Sequence, residues 1–167
     1  LDRVRQCHID GVVPIAILDI DLTLVENAPR TREVFRRFAL GRRGQWAGAE
    51  QAASEAMEMP LVFSVRENLT ALGITKPELA KAAFEAWLEG FFSDELCRLD
   101  VALDGAPEAV ERLIAMGVTV VYLTARISQM REGTVARLSE LGFPMTTVGP
   151  ILIIKEDHSV DDVAFKQ

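Results

Sequence analysis

The stretch Ile15-Ala16-Ile17-Leu18-Asp19-Ile20-Asp21-Leu22-Thr23-Leu24-Val25 decides how this chain is read. An apolar run bounded by Pro14 ends in two aspartates two residues apart, followed by a threonine. A short continuous run of this kind predicts a strand buried on both faces. Residues i and i+2 of a strand point the same way, so Asp19 and Asp21 leave the strand end together, aimed at one small volume. Two carboxylates that close repel, and their proton affinities separate. A cation holds one ionised while the other keeps a proton. A nucleophile and a general acid follow from that asymmetry. By chance, Asp-x-Asp-x-Thr arises in roughly a few per cent of chains this long. The bland alternative is a strand followed by an acidic turn, with Thr23 capping a helix. The rest of the chain has to choose between them.

Working outward, residues 118–124 and 150–154 repeat the short, β-branched-rich apolar pattern of residues 14–20 and predict two further buried strands. Helical patterns lie between them. Asp104-Gly105-Ala106-Pro107 opens a helix with Val110, Leu113 and Ile114 on one face and Gly117 at its end. A second helix follows Arg126, with Val135, Leu138 and Leu141 on a face and Gly142 as its stop. Strand, helix and strand in that order is the grammar of a parallel sheet.

Residues 31–100 carry helical patterns and no convincing strand. Thr75-Lys76-Pro77-Glu78 predicts a capping box with Thr75 at the N-cap. It launches a long helix in which Leu79, Ala83 and Trp87 share one stripe and Phe84, Leu88 and Phe92 the next, a face wide enough to predict burial against partners. Gly41 to Gly48 reads as a loop, in which Trp46 is divided evenly between facing a substrate and packing. Trp87, Phe91 and Phe92 read as core of the helical part.

The 167 residues suffice for one core, or a core with a small insert. A hydrophobic fraction of 49%, a charged fraction of 26% and a net charge of −7 are those of a soluble globular chain. They argue against nucleic acid as an extended partner, because phosphate-backbone binding needs clustered Lys and Arg. Arg36-Arg37 and Arg42-Arg43 read as a solvated helix face. No apolar run approaches the ~20 residues a transmembrane helix needs. Cys7 and Cys97 lack any close spacing and read as buried free thiols of a reducing, cytoplasmic protein. His8 and His158 fit no metal-ligand pattern.

Asp19-Ile20-Asp21-Leu22-Thr23 resembles motif I of the haloacid dehalogenase (HAD) superfamily, most of whose members are phosphatases with an aspartate nucleophile. Val118-Thr119-Val120-Val121-Tyr122-Leu123-Thr124-Ala125-Arg126, an apolar strand ending in a threonine, resembles the family's motif II. Asn27-Ala28-Pro29-Arg30-Thr31, Glu132-Gly133-Thr134, Leu141-Gly142-Phe143-Pro144 and Phe165-Lys166 resemble a bacterial subgroup related to the acid phosphatases. The resemblance covers nearly the whole chain. It implies an α/β fold, a Rossmann-like parallel sheet flanked by helices, with an inserted helical cap. The core would take residues 1–27 and 103–167, and the cap residues 28–102.

The implied activity is Mg²⁺-dependent hydrolysis of a phosphomonoester through an aspartyl-phosphate intermediate. Asp19 is the candidate nucleophile. Asp21 is the candidate general acid, and then the base for the hydrolytic water. Mg²⁺ would bridge Asp19 and the substrate phosphate, with the Asp21 backbone carbonyl as a further ligand in this family. Thr124 and the adjoining Ala125 would bind the phosphoryl oxygens, unless Thr124 serves as an N-cap. Arg126 is either a bidentate phosphate fork or a salt-bridge residue. Asn27 and Arg30, in the segment bending toward the cap, are substrate-contact candidates. The motif III lysine is Lys155 or Lys166, and the resemblance favours Lys166. The implied partner is a small phosphorylated metabolite, with neither nucleic acid nor a membrane. Retaining both aspartates favours phosphatase over dehalogenase. The competing class is a non-catalytic HAD-like module that binds a phosphorylated ligand or partner.

One departure weighs on this reading. The family's fourth motif, an acidic residue on a further strand, would follow Lys166, and the sequence ends at Gln167. Asp161-Asp162 substitutes poorly, because no apolar strand precedes it. The expectation is therefore a fragment of a longer protein. Its first strand would expose an apolar edge, which favours association into a homo-oligomer.

Overall fold

The computed structural model describes residues 2–145, 149–159 and 161–166, apart from the His8 side chain. In chain order the first half holds α1 (Asp2–Ile9), β1 (Ile15–Leu18), β2 (Val25–Glu26), α2 (Ala28–Leu40), α3 (Ala49–Glu58), α4 (Val65–Ala71) and α5 (Pro77–Phe91). A 3₁₀ turn at Glu95–Leu99 leads into β3 (Val101–Ala102), α6 (Ala106–Ala115), β4 (Thr119–Ile127), α7 (Arg131–Glu140), β5 (Ile151–Lys155) and α8 (Asp162–Phe165).

The sheet is parallel, in the order β1-β4-β5, with Ile15 opposite Thr119 and Thr124 opposite Ile154. This is the α/β architecture expected, with helices between the parallel strands. Ile20, Val25, Val110, Val120, Tyr122 and Leu138 build the core beside the sheet. Helices α2 to α5 close around a second core of Phe35, Phe38, Leu69, Ile74 and Ala83. Alanines 49, 52, 53 and 56 of α3 are all buried and let it lie close on α2. A two-stranded antiparallel ribbon, β2 with β3, zips Val25 to Ala102 and Glu26 to Val101. The chain thus leaves for the helical segment and returns from it at one point.

Four local expectations are corrected. First, β1 is not buried on both faces: Ile15 is 65% and Ile17 63% exposed. Ile151 and Ile153 are exposed as well. These isoleucines share one face of the sheet, on which the central Val121 is nonetheless buried, and β1 is an edge strand among the described strands. Second, the central strand runs past Thr124 to Ile127, with its register slipping between those residues. Helix α7 then starts after Met130, so Thr124 is not its N-cap. Third, α5 is capped by Lys76 rather than Thr75, without a side-chain cap bond. The residue before a proline is excluded from helical backbone, so Pro77 forces the boundary one residue later. Fourth, Ile114 sits at the exposed margin of α6, while Val110 and Leu113 face the core.

The remaining single-residue readings resolve in the same terms. Trp46 packs against the helical core. Trp87 stacks on Phe91 at 4.9 Å and donates its indole N–H to Thr31 Oγ1. Cys97 is a buried free thiol, pushed up in pKa by that burial, and Cys7 is a half-buried one. No helix among the described residues is long and apolar enough to cross a membrane.

Candidate active site

Asp19 lies just past the C-terminal end of β1. Beyond it the chain turns tightly. The N–H groups of Thr23, Leu24 and Val25 all donate to the Ile20 carbonyl, and Leu22 N–H donates to the Val25 carbonyl. Leu22 takes a left-handed backbone, φ 58°. That conformation costs a non-glycine residue about 1 kcal/mol, and it recurs at functional turns. Ile20 is fully buried and pins the turn to the core.

The two aspartates have different surroundings. The Asp19 side chain is 38% exposed. Its Oδ1 accepts the Ile20 N–H at 2.8 Å and its Oδ2 accepts Lys166 Nζ at 2.5 Å. Asp21 is held on several sides. Its Oδ1 accepts from Asn27 Nδ2, Arg30 Nη2 and Arg126 Nη2 at 2.8, 2.8 and 2.9 Å, and its Oδ2 accepts Arg126 Nε at 2.9 Å. Burial by itself would raise the Asp21 carboxyl. The hydrogen bonds and charge of Arg126, the charge of Arg30 and the Asn27 amide outweigh it and hold the carboxyl at about 2. At neutral pH Asp21 is therefore a carboxylate.

Both guanidiniums are shared with a second acid. Asp100 takes Arg30 Nε at 2.6 Å and Arg126 Nη2 at 2.8 Å, and its own carbonyl accepts Arg137 Nε. Arg126 Nη1 also donates to Thr134 Oγ1. Arg30 lies 4.7 Å from the Phe91 ring centroid and donates to the Phe91 carbonyl. The result is a quartet of two arginines and two aspartates with no net charge. Arg30 is 0% and Arg126 3% exposed. Burial lowers the affinity of Arg126 for its proton, but Asp21 and Asp100 overcome this and raise it.

Asp19, Asp21 and Lys166 come together at one sheet end, and Asn27, Arg30 and Arg126 join them through Asp21. The two arginines do so as buried ion-pair partners rather than as open forks for phosphate. Of the alternatives for Arg126, the salt bridge is the one observed, inside the protein rather than on its surface. Thr124 is fully buried and its Oγ1 accepts the Arg126 backbone N–H at 3.3 Å, while Ala125 is half-buried. Of the two lysines, Lys166 touches Asp19, and Lys155 is buried against Asp162. The sequence reading missed Asp100 and Thr134. Asp100 stands 70 residues from Arg30, and a single aspartate at that remove leaves no local pattern. Thr134 lay within a quoted stretch, without a role.

The donors at this end suit a hard cation. The described backbone hydrogen bonds of the turn leave the Asp21 carbonyl untaken, and the Asp19 carboxylate stands open beside it. Mg²⁺ is commonly held by one or two protein oxygens, with waters and substrate phosphate completing its shell. A carboxylate and a carbonyl fit that requirement. No group of three or more His, Cys, Asp and Glu able to hold a metal exists among the described residues.

No family model and no curated protein sequence matches the chain. Among solved structures it is similar to a protein described as a candidate phosphatase from Clostridium difficile (TM-score 0.58, 16% identity, 93% of this chain and 67% of that one). It is similar also to a HAD-superfamily hydrolase of subfamily IA from Geobacter sulfurreducens (TM-score 0.52, 18% identity, 88% and 65%). A class C acid phosphatase from Bacillus anthracis with tungstate bound overlaps more loosely (TM-score 0.45, 14% identity, 95% and 50%). The chain thus spans between half and two thirds of the length of these structures. The first two likenesses concern the fold alone: the chain folds as those two proteins do.

Proposed function

We propose that the protein is a phosphomonoester hydrolase in which Asp19 is the nucleophile, with residues 28–102 acting as a cap over the sheet end. The observation that carries this reading is the Asp19 carboxylate: open, at the end of a parallel strand, with Lys166 against one oxygen. Ligands of α/β sheets bind outside the carboxyl ends of the strands, and Asp19 lies just past the carboxyl end of β1. One Asp19 oxygen attacks phosphorus in line, the P–O bond to the leaving group breaks, and an aspartyl-phosphate forms. Lys166 offsets charge at the attacking carboxylate. Asp21 would take the proton of the water that hydrolyses the intermediate. Both the acid and the base half of this role require the carboxyl to leave the guanidinium fork first, because Asn27, Arg30 and Arg126 occupy its two oxygens and hold it at about 2. When bound, Mg²⁺ on Asp19 and the Asp21 carbonyl would neutralise charge on the transferring phosphoryl group. The substrate class is a small phosphorylated metabolite.

The locked Asp21 also favours the competing reading, a module that binds a phosphorylated ligand without turning it over. Hydrolysis of p-nitrophenyl phosphate, with Mg²⁺ and with chelator, separates the two. The phosphatase reading expects chelator-sensitive turnover that falls by on the order of 10³-fold or more in Asp19→Asn. Equal rates for both proteins remove it.

A further inference from the structure

Two acidic residues and a lysine that the reaction leaves unused meet beside the site. Lys155 is the last residue of β5, and its side chain is 4% exposed. A buried ammonium is costly unless paired, and its Nζ pairs with the Asp162 carboxylate. Asp162 opens α8, the four-residue helix that ends immediately before Lys166. The adjacent Asp161 caps the same helix, its Oδ1 accepting the N–H groups of Val163 and Ala164 at 3.0 and 3.1 Å.

Such a helix does not hold itself. Isolated helices below ~12 residues are marginal in water, and Val163 is exposed rather than packed. The described side-chain contacts that tie this segment to the rest of the protein are Asp162 to Lys155 at its start and Lys166 to Asp19 at its end. The root of the tie is rigid. Lys155 pairs with Ile127 in the sheet, and the next residue, Glu156, accepts the N–H and the hydroxyl of Ser128 through its carbonyl.

We infer that Lys155 is a positioning residue for the chemistry at Asp19: gripping Asp162, it anchors the short helix that presents Lys166 to the nucleophile. The inference rests on the reading of Asp19 as nucleophile. It gives both lysines work, one at the carboxylate and one behind it. It also gives Asp161-Asp162 a role as cap and anchor. A flexible ammonium makes a productive contact more often when its backbone is held, which is the contribution of groups that orient a catalytic residue.

The test compares the protein with Lys155→Met, Lys155→Arg, Asp162→Asn and the Lys155→Met/Asp162→Asn double variant. It reads p-nitrophenyl phosphate kinetics with Mg²⁺ and amide hydrogen exchange. Lys155→Met and Asp162→Asn are each expected to lower kcat by about tenfold or more, with KM within about twofold. Exchange at residues 163–166 should quicken by a similar factor while β4 and β5 keep their protection. The double variant should be no worse than either single one, and Lys155→Arg should restore most of kcat. Unchanged kcat in Lys155→Met overturns the positioning role. Loss of protection across the whole sheet without rescue by arginine overturns it too, by making Lys155 merely structural. If the unvaried protein turns over nothing, the phosphatase reading fails and takes the positioning role with it. The exchange data then still judge the anchor by themselves.

Discussion

Asp19 and Asp21 stand two residues apart past one strand end, yet one is locked into a buried frame and the other is left partly open. Asp21 accepts four side-chain hydrogen bonds from Asn27, Arg30 and Arg126, and its two arginines also pair with Asp100. Asp19 has one ion pair and a bond from its neighbour's N–H, and more than a third of its side chain is open. The difference comes from what approaches each residue. The start of α2 and the end of β4 both converge on Asp21, while the only described side chain reaching Asp19 is Lys166, from the residue just after a four-residue helix. A carboxylate with several fixed donors is held in place and kept ionised. A carboxylate with a single donor on each oxygen and more than a third of its side chain exposed stays accessible to solvent.

The comparison breaks most readily on stability. Arg126→Met leaves Asp21 and Asp100 sharing one buried guanidinium, and removing one partner of a buried ion pair typically costs about 3–5 kcal/mol. Asp19→Asn, on the open side, should cost less than about 1 kcal/mol. Urea denaturation of both variants checks this, and equal losses would mean that the two sides are not divided as described. Gly133→Ala probes the packing behind the quartet. A Cβ at Gly133 would meet the Asp94 carbonyl oxygen at 2.2 Å, and Gly133 N–H donates to Asp94 Oδ1 at 2.6 Å. The backbone has to shift, at about 1–3 kcal/mol, which a fall in Tm reports.

Acid titration sharpens the contrast further. The Asp21 carboxyl is held at about 2 when folded, against 3.8 for an unperturbed aspartate. A carboxyl lowered on folding contributes stability that is complete above its unfolded value and lost as pH falls through its folded one. Asp21 should therefore withdraw on the order of 2 kcal/mol between pH 4 and pH 2. In Arg126→Met that slope should flatten, as free energies of unfolding at stepped pH would reveal. The smallest effect belongs to the surface. Glu33 is also held at about 2, by the hydrogen bond from Arg36 against its partial burial, and then by Arg37. Both arginines are more than a third exposed, so Glu33→Gln should cost less than about 1 kcal/mol. A larger loss would show that ion pairs on α2 matter as much as the buried quartet.

Features set by a few neighbouring residues were legible in the chain. The strand carrying Asp19, the parallel α/β order, the helical character of residues 31–100 and the helix stops at Gly117 and Gly142 all follow from local patterns. Both of those glycines have positive φ, 76° and 87°, which only a residue without a Cβ adopts at little cost. Thr75 was misjudged because two local rules competed, and the restriction before Pro77 prevailed over the capping pattern. The burial of β1 was misjudged for another reason. A continuous apolar run says that a strand is able to be covered on both faces, not that both faces are covered. At the site, Asp19 and Lys166 were readable from a motif and a resemblance. Arg30 and Arg126 were noticed, but open phosphate forks and buried ion pairs look alike in a sequence.

Unaided, the order of residues determined where a carboxylate pair leaves a strand and which elements surround it, because alternation, proline and glycine act within a few peptide units. It did not determine which aspartate would be locked. That outcome depends on guanidiniums 9 and 105 residues from Asp21 and on an acid 70 residues from Arg30. Charge pairing over such separations is settled only when the ribbon of β2 and β3 closes the helical segment and burial makes an unpaired charge costly. Asp19 and Asp21 begin as the same side chain on the same strand end, and packing then makes one of them part of the frame and leaves the other open to solvent.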